Sequence, residues 1–226
     1  MSRRRASMCA IAIVCASGLL VAQGNTPRQH GRLFPPQDLG LLEAPDRDQW
    51  QRPDQIMDAL AIAEASVVAD VGAGSGWFTI RLARRVGPNG VVYAEDVQQA
   101  MLSAIMRRVQ KEGLTNVRPV LGRESDPHLP ARALDAVLFV EVYHEVEDRL
   151  TMLTNVARAL KPQGRVGVVD FKLEGGGPGP PVDERVSPDI VVQDAERAGL
   201  RLLKQESIEP YQYFLIFGLR TTTSAK

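Results

Sequence analysis

DVGAGSGWF, residues 70–78, sets three glycines at alternate positions behind an acid and ends on two large aromatic residues. It follows the apolar run SVVA, residues 66–69, so the glycines fall where a buried strand gives way to a helix. Glycine accepts left-handed backbone and leaves the main chain bare, which lets a ligand approach the free amides at a helix start. A tight turn that is merely rich in glycine has the same composition. The surrounding sequence decides between the two.

Strand and helix patterns alternate beyond this loop. SGWFTIRLARRVG reads as a helix, GPNG as a turn into the strand VVYAE, and VQQAMLSAIMRRVQKEG as a second helix. NVRPVLG and LDAVLFV read as strands, DRLTMLTNVARAL as a helix, KPQG as a turn and RVGVVDF as a strand. Repeated β-α units predict an α/β fold with a mostly parallel sheet covered on both faces. Ligands of such sheets bind beyond the strand carboxyl ends, where the winding direction reverses. SPDIVVQDAERAG opens another helix at a Ser-Pro cap. LRLLKQES and YQYFLIFG follow as two further strands, with Tyr211, Tyr213 and Phe214 in the core or at the sheet edge. Upstream, after Pro53, DQIMDALAIAE spaces Ile56, Leu60 and Ala63 for a short amphipathic helix.

The chain has 226 residues, 44% of them apolar, enough for one well-buried domain. Its 27 basic and 27 acidic residues cancel without a long run of one sign, so charge points neither to nucleic acid nor to a membrane surface. Residues 1–24 join a cationic start, MSRRRAS, to the uncharged stretch MCAIAIVCASGLLVA and read as a signal or membrane-targeting segment. An exported or envelope-associated protein is expected, or a cytoplasmic one if translation starts later. Residues 25–52 read as a polar, proline-bearing arm in which Trp50 packs over a core or pocket edge, and residues 53–226 as the domain proper. Both cysteines, Cys9 and Cys15, lie in the targeting segment, leaving the domain without a disulfide, a cysteine nucleophile or a Cys-based zinc site. His30, His128 and His144 are not spaced as a metal cluster.

About twenty residues beyond the glycines, VVYAEDV offers Glu95 and Asp96 at a strand end, where a carboxylate can accept hydrogen bonds from both ribose hydroxyls. Side chains alternate along a strand, so one of the two is expected to reach a ligand. A dinucleotide fingerprint calls for a third glycine where this chain has Trp77. GAGSG instead resembles the first motif of the class I S-adenosylmethionine-dependent methyltransferases, and LKPQGR resembles the LKPGG turn of the same enzymes, with Gln163 in place of a glycine. The likeness is closest in FVEVYHEVED, which resembles a subset of bacterial methyltransferases with Tyr-His after strand four, and it covers roughly residues 33–218.

That resemblance implies a Rossmann-like seven-stranded sheet, mostly parallel with an antiparallel C-terminal strand. It implies S-adenosylmethionine as cofactor, with Asp70, Gly72, Gly74 and Gly76 on the cofactor loop and Asp96 as the ribose-binding acid. After the third strand, Glu124 and Asp126 stand where the family often places a polar residue near the adenine amino group. Glu141 is a second candidate contact to the cofactor's amino group. His144, at a strand carboxyl end, can take a proton from a nucleophile, and Tyr143 can orient substrate or stack on it. Caps and surface turns remain the structural readings of these residues. EGGGPGPP, residues 174–181, is expected to be a lid or a long crossover.

The expected activity is methyl transfer to a small-molecule acceptor, which the sequence does not identify. Oligomeric state is equally unspecified. Two other readings stay open: an NAD(P)-dependent oxidoreductase, which would share the sheet and the acid, and an exported, non-catalytic binding module on the same fold.

Overall fold

The computed structural model describes residues 33–220 apart from 175 and 209. The expected targeting segment, Cys9, Cys15 and His30 lie outside the described residues. Seven strands form one sheet in the order β3-β2-β1-β4-β5-β7-β6. In chain order they are β1 (Val67–Val71), β2 (Val91–Asp96), β3 (Val117–Leu121), β4 (Leu134–Val140), β5 (Leu160–Phe171), β6 (Leu200–Ile208) and β7 (Gln212–Leu219). The first five run parallel, while β7 runs antiparallel to both β5 and β6. Winding therefore reverses between β1 and β4, and the glycine loop leaves β1 at that point.

Among the described residues six α-helices accompany the sheet: α1 (Arg47–Gln51), α2 (Pro53–Ala59), α3 (Trp77–Val86), α4 (Gln99–Lys111), α5 (Arg149–Ala159) and α6 (Pro188–Arg197). Their apolar stripes make two cores, one on each sheet face. Leu82, Val86, Leu102 and Ile105 of α3 and α4 pack with Val68, Val92 and Leu138. Leu153, Val156, Val191 and Ala195 of α5 and α6 pack with Val137, Phe139, Val166 and Leu215 on the other side. Each strand of the sheet centre is thus buried on both faces, which explains why β1 and β4 read as mostly apolar runs, each broken by one Asp, Asp70 or Asp135. Side-chain caps fix two helix starts: Asp148 accepts from the Thr151 amide at 3.0 Å, and Ser187 from the Ile190 amide at 3.4 Å.

Two local expectations are corrected. KPQG is not a free turn before β5 but the beginning of that strand, which starts at Leu160 and pairs with Leu134 across a register shift. The helix after Pro53 ends at Ala59, so Ala63 lies beyond it. Bonds from the Ala61 amide to Asp58 O and from the Ile62 amide to Met57 O close the helix with Ala61 in left-handed geometry. Trp50 packs edge-on against Tyr211 at 6.1 Å, and Tyr213 and Phe214 are core residues.

Candidate functional site

A cleft opens at the carboxyl ends of β1, β2 and β4. Its floor is the glycine loop. Gly72, Gly74 and Gly76 all have positive φ, from 52° to 76°. The main chain bends sharply there and then starts α3, whose first turn is tied back to β1 by the Thr79 hydroxyl donating to Asp70 at 2.6 Å. A β-carbon at Gly72 would overlap Val142 of the β4 loop. One at Gly76 would come within 3.1 Å of Ile105 of α4. Gly76 does not line the cleft; it caps α3 and lets α4 approach, a packing role where a cofactor contact was expected.

Both acids at the end of β2 line the cleft, where one was expected. The loop curls over the end of β2 so closely that the Ala73 amide donates to the Glu95 carbonyl at 2.9 Å. The Gly72 amide donates to Glu95 Oε2 at 3.2 Å, and the Gly74 amide to Asp96 Oδ2 at 3.0 Å. Asp96 Oδ1 also accepts from the Gln98 amide at 2.8 Å. Glu95 is 1% exposed, and its Oε1, packed against Gly122, is a buried polar atom with no hydrogen-bond partner among the described residues. Burial pushes the Glu95 carboxyl up to about 8, only partly opposed by the Gly72 bond, and the charges of Asp96 and Asp70 push the same way. Asp70 is raised to about 6, again chiefly by burial, and Asp96 is raised for the same reason.

The other wall is held by contacts that span the chain. Glu141, just after β4, has φ of 59° and a buried carboxylate. That carboxylate accepts from Arg47 Nη2 at 2.9 Å, Gln51 Nε2 at 3.0 Å and Gln212 Nε2 at 2.8 Å. Arg47 and Gln51 come from the N-terminal arm and Gln212 from β7, so one carboxylate clamps three segments together. Arg47 also stacks over Trp77, which Arg81 covers as well, at 4.3 Å and 3.6 Å from the ring. Trp77 therefore covers the first turn of α3 as a platform for the arm. Leu33 lines the cleft, and Phe34 accepts a bond from Gln98 at 3.0 Å.

Of the remaining expected residues, Glu124 lines the cleft, while Asp126 closes a turn with Arg123 and accepts from the His128 amide. Tyr143 does not face the cleft. It is fully buried against Phe139, and its hydroxyl reaches Asp194 at 3.3 Å, because the turn after β4 directs it into the core beneath α6. His144 is mostly buried and bonded to Asp170 of β5, beside the cleft residues Glu145 and Val146. Near the end of the stretch expected to be a lid or crossover, Arg185 Nε donates to the Pro180 carbonyl at 2.9 Å.

Arg47, Gln51, Asp170 and Gln212 were missed in the sequence. An Asp inside the apolar strand RVGVVDF was a usable signal, since an acid in a buried strand needs a partner. Arg47 and Gln51 are one helical turn apart, but nothing local pairs them with Glu141.

The cleft is acidic, with seven Asp and Glu side chains, of which Glu95 favours its protonated form, and one guanidinium, Arg47, among the described residues that line it. A ligand with positive charge and several hydroxyl donors is favoured there. S-adenosylmethionine fits this test: its ammonium and sulfonium are cationic, its ribose donates hydroxyls, and the unpartnered Glu95 oxygen and Asp96 are the acceptors at hand. Among the described residues no cluster of His, Cys, Asp and Glu is arranged to hold a metal ion, and no helix is long and apolar enough to cross a membrane.

Residues 68–164 match the family described as methyltransferase domain. Nocamycin O-methyltransferase of Saccharothrix syringae is 34% identical over 112 residues, which are 50% of this chain and 38% of that one. Demethylmenaquinone methyltransferase of a Geobacillus species is 30% identical over 118 residues, 52% of this chain and 50% of that one. The chain thus spans about half or less of the length of these curated relatives. A crystal structure of a SAM dependent methyltransferase from Aquifex aeolicus superposes with a TM-score of 0.79 at 29% identity, covering 83% of this chain and all of that one.

Proposed function

We propose that this chain, which belongs to the class I S-adenosylmethionine-dependent methyltransferase superfamily, transfers a methyl group to a small acceptor whose nucleophilic atom carries a removable proton. The observation that carries this reading is the cleft at the β1/β4 switch, where a bare glycine loop meets Glu95 and Asp96. Asp96 and Glu95 hold the ribose side, the backbone of residues 72–74 holds the amino-acid side, and Glu124 stands at the rim toward the base. When bound, the cofactor supplies a methyl group made electrophilic by its sulfonium.

The protein's part is alignment and proton handling. Holding two reactants in register can supply several kcal/mol of a barrier, roughly 7 at effective molarities of 10⁵ M. Arg47, Leu33 and the β4 loop line the cleft beside the place of the donor. His144 takes the proton that the acceptor gives up. The relatives are named for an O-methylation and for methylation of demethylmenaquinone, and both names are compatible with a hydroxyl-bearing acceptor for this chain. The preponderance of acidic side chains in the cleft disfavours an anionic one.

Titration calorimetry with S-adenosylmethionine and with NAD tests the cofactor. Binding of the first and not the second is expected, and the reverse preference overturns the reading. Release of S-adenosylhomocysteine on adding small hydroxyaromatic probes then separates an enzyme from a binding module.

A further inference from the structure

Asp170, near the end of β5, is fully buried, and every hydrogen bond recorded for its carboxylate comes from the main chain or from His144. Oδ1 accepts from the Phe171 amide at 2.8 Å and lies 2.9 Å from His144 Nδ1. Oδ2 accepts from the His144 amide at 3.1 Å and lies 3.1 Å from the same ring nitrogen. One carboxylate therefore grips both the backbone and the ring of His144. We propose that Asp170 is a positioning residue that keeps the His144 proton on Nδ1 and so presents Nε2 as a free base at the edge of the cleft.

The chemistry follows from what each group can do. An ionised carboxylate only accepts, so a ring nitrogen at 2.9 Å from it must donate, and the neutral imidazole is left with its lone pair on Nε2. Nε2 makes no hydrogen bond among the described residues. Its nearest charged neighbour is Glu145 Oε1 at 4.0 Å, and it is not among the buried polar atoms lacking a partner. The 8% of the side chain that stays exposed thus includes this atom. Val142, Glu145 and Val146, which flank His144, all line the cleft. Burial lowers the affinity of the ring for a proton, but the bond and charge of Asp170, helped by Glu145 and Glu141, outweigh it and raise His144 above the ordinary histidine range. The other charges that bear on these groups are Arg47 on Glu141, and Asp96 and Glu184 on Glu145.

The role as a base rests on the methyl-transfer reading, but the tautomer does not, so the two can fail separately. Nitrogen-15 imidazole spectra of the whole chain without added ligand, assigned with His144→Gln, read the tautomer directly. The expected spectrum at high pH has Nδ1 protonated and Nε2 bare, with a titration midpoint above that of free histidine. In Asp170→Asn the amide can turn a donor toward Nδ1, so the proton is expected to move to Nε2 and the midpoint to fall, with S-adenosylmethionine binding unchanged within twofold. A wild-type spectrum with the proton on Nε2 overturns the proposal even if the variant does not fold. An unchanged tautomer and midpoint in a folded Asp170→Asn protein overturns it too, since an anchor of the turn alone would give that result.

Discussion

The two walls of the cleft are built by different means. The β1–β2 wall is made almost wholly from one stretch of about thirty residues, 70–98, in which backbone amides of the glycine loop bond to the acids at the next strand end. The β4–β5 wall is assembled from side chains far apart in sequence, with Glu141 joined to residues 94 and 90 positions earlier and 71 later. The first wall shapes a site by what is missing, a β-carbon. The second does so by filling space with paired polar groups, each costly to bury alone. Damage to the first should therefore always show in ligand binding, with or without a loss of stability, and damage to the second chiefly in stability and in the placement of the arm.

The strongest test of this contrast is Gly72→Val. The new side chain would overlap Val142 in a backbone conformation that L residues avoid, so a loss on the order of 3 kcal/mol in stability is expected together with loss of measurable S-adenosylmethionine binding. Thermal melts and calorimetry read both, and unimpaired binding would deny the loop its role. Next comes Arg47→Ala, which strips one donor from buried Glu141 and should cost about 2 to 3 kcal/mol. A double-mutant cycle with Glu141→Gln should show coupling; additive losses would mean that the clamp is only apparent.

The third test uses pH. Glu95 titrates at about 8 when folded, against 4.5 as its ordinary value, so the folded state prefers the protonated acid. The stability this group contributes is complete below about pH 4.5 and is lost as the pH rises through 8. Melting curves of the protein without ligand should show a decline from pH 6 to 8 that Glu95→Gln reduces by about 1 to 2 kcal/mol. Equal slopes would place the acid in water rather than in the loop. The mildest change is Asp96→Asn, which keeps an oxygen for one of the two main-chain amides that Asp96 accepts from, sets an amide nitrogen against the other and removes the charge. S-adenosylmethionine should then bind about tenfold more weakly, near 1.4 kcal/mol, with a stability loss of about 1 kcal/mol. A large loss of stability with unaltered affinity would reverse the contrast between the walls.

The same difference explains how legible each part was in the sequence. Glycines at alternate positions and an acid twenty residues on are local signals, because strand, turn and helix are each fixed by neighbours in the chain. The departures came where packing overrules local pattern. Tyr143 beside His144 looks like a site residue, yet the turn after β4 sends one ring into the core and leaves the other at the cleft edge. Glu95 and Asp96 should face opposite ways, yet a loop folded over the strand end meets both.

By itself the sequence determined the parallel sheet, the two strands that follow it, the Ser187 helix start and the place of the glycine loop, since hydrophobic period and turn chemistry act over a few residues, while the antiparallel direction of the last pair came from the resemblance to a known family. Only the tertiary structure decided that Arg47, Gln51 and Gln212 converge on Glu141, and that Asp170 grips His144. Those pairings depend on strand order and on the path of the arm. A buried charge must find a partner somewhere, but which one it finds is settled by the fold that brings distant segments within 3 Å.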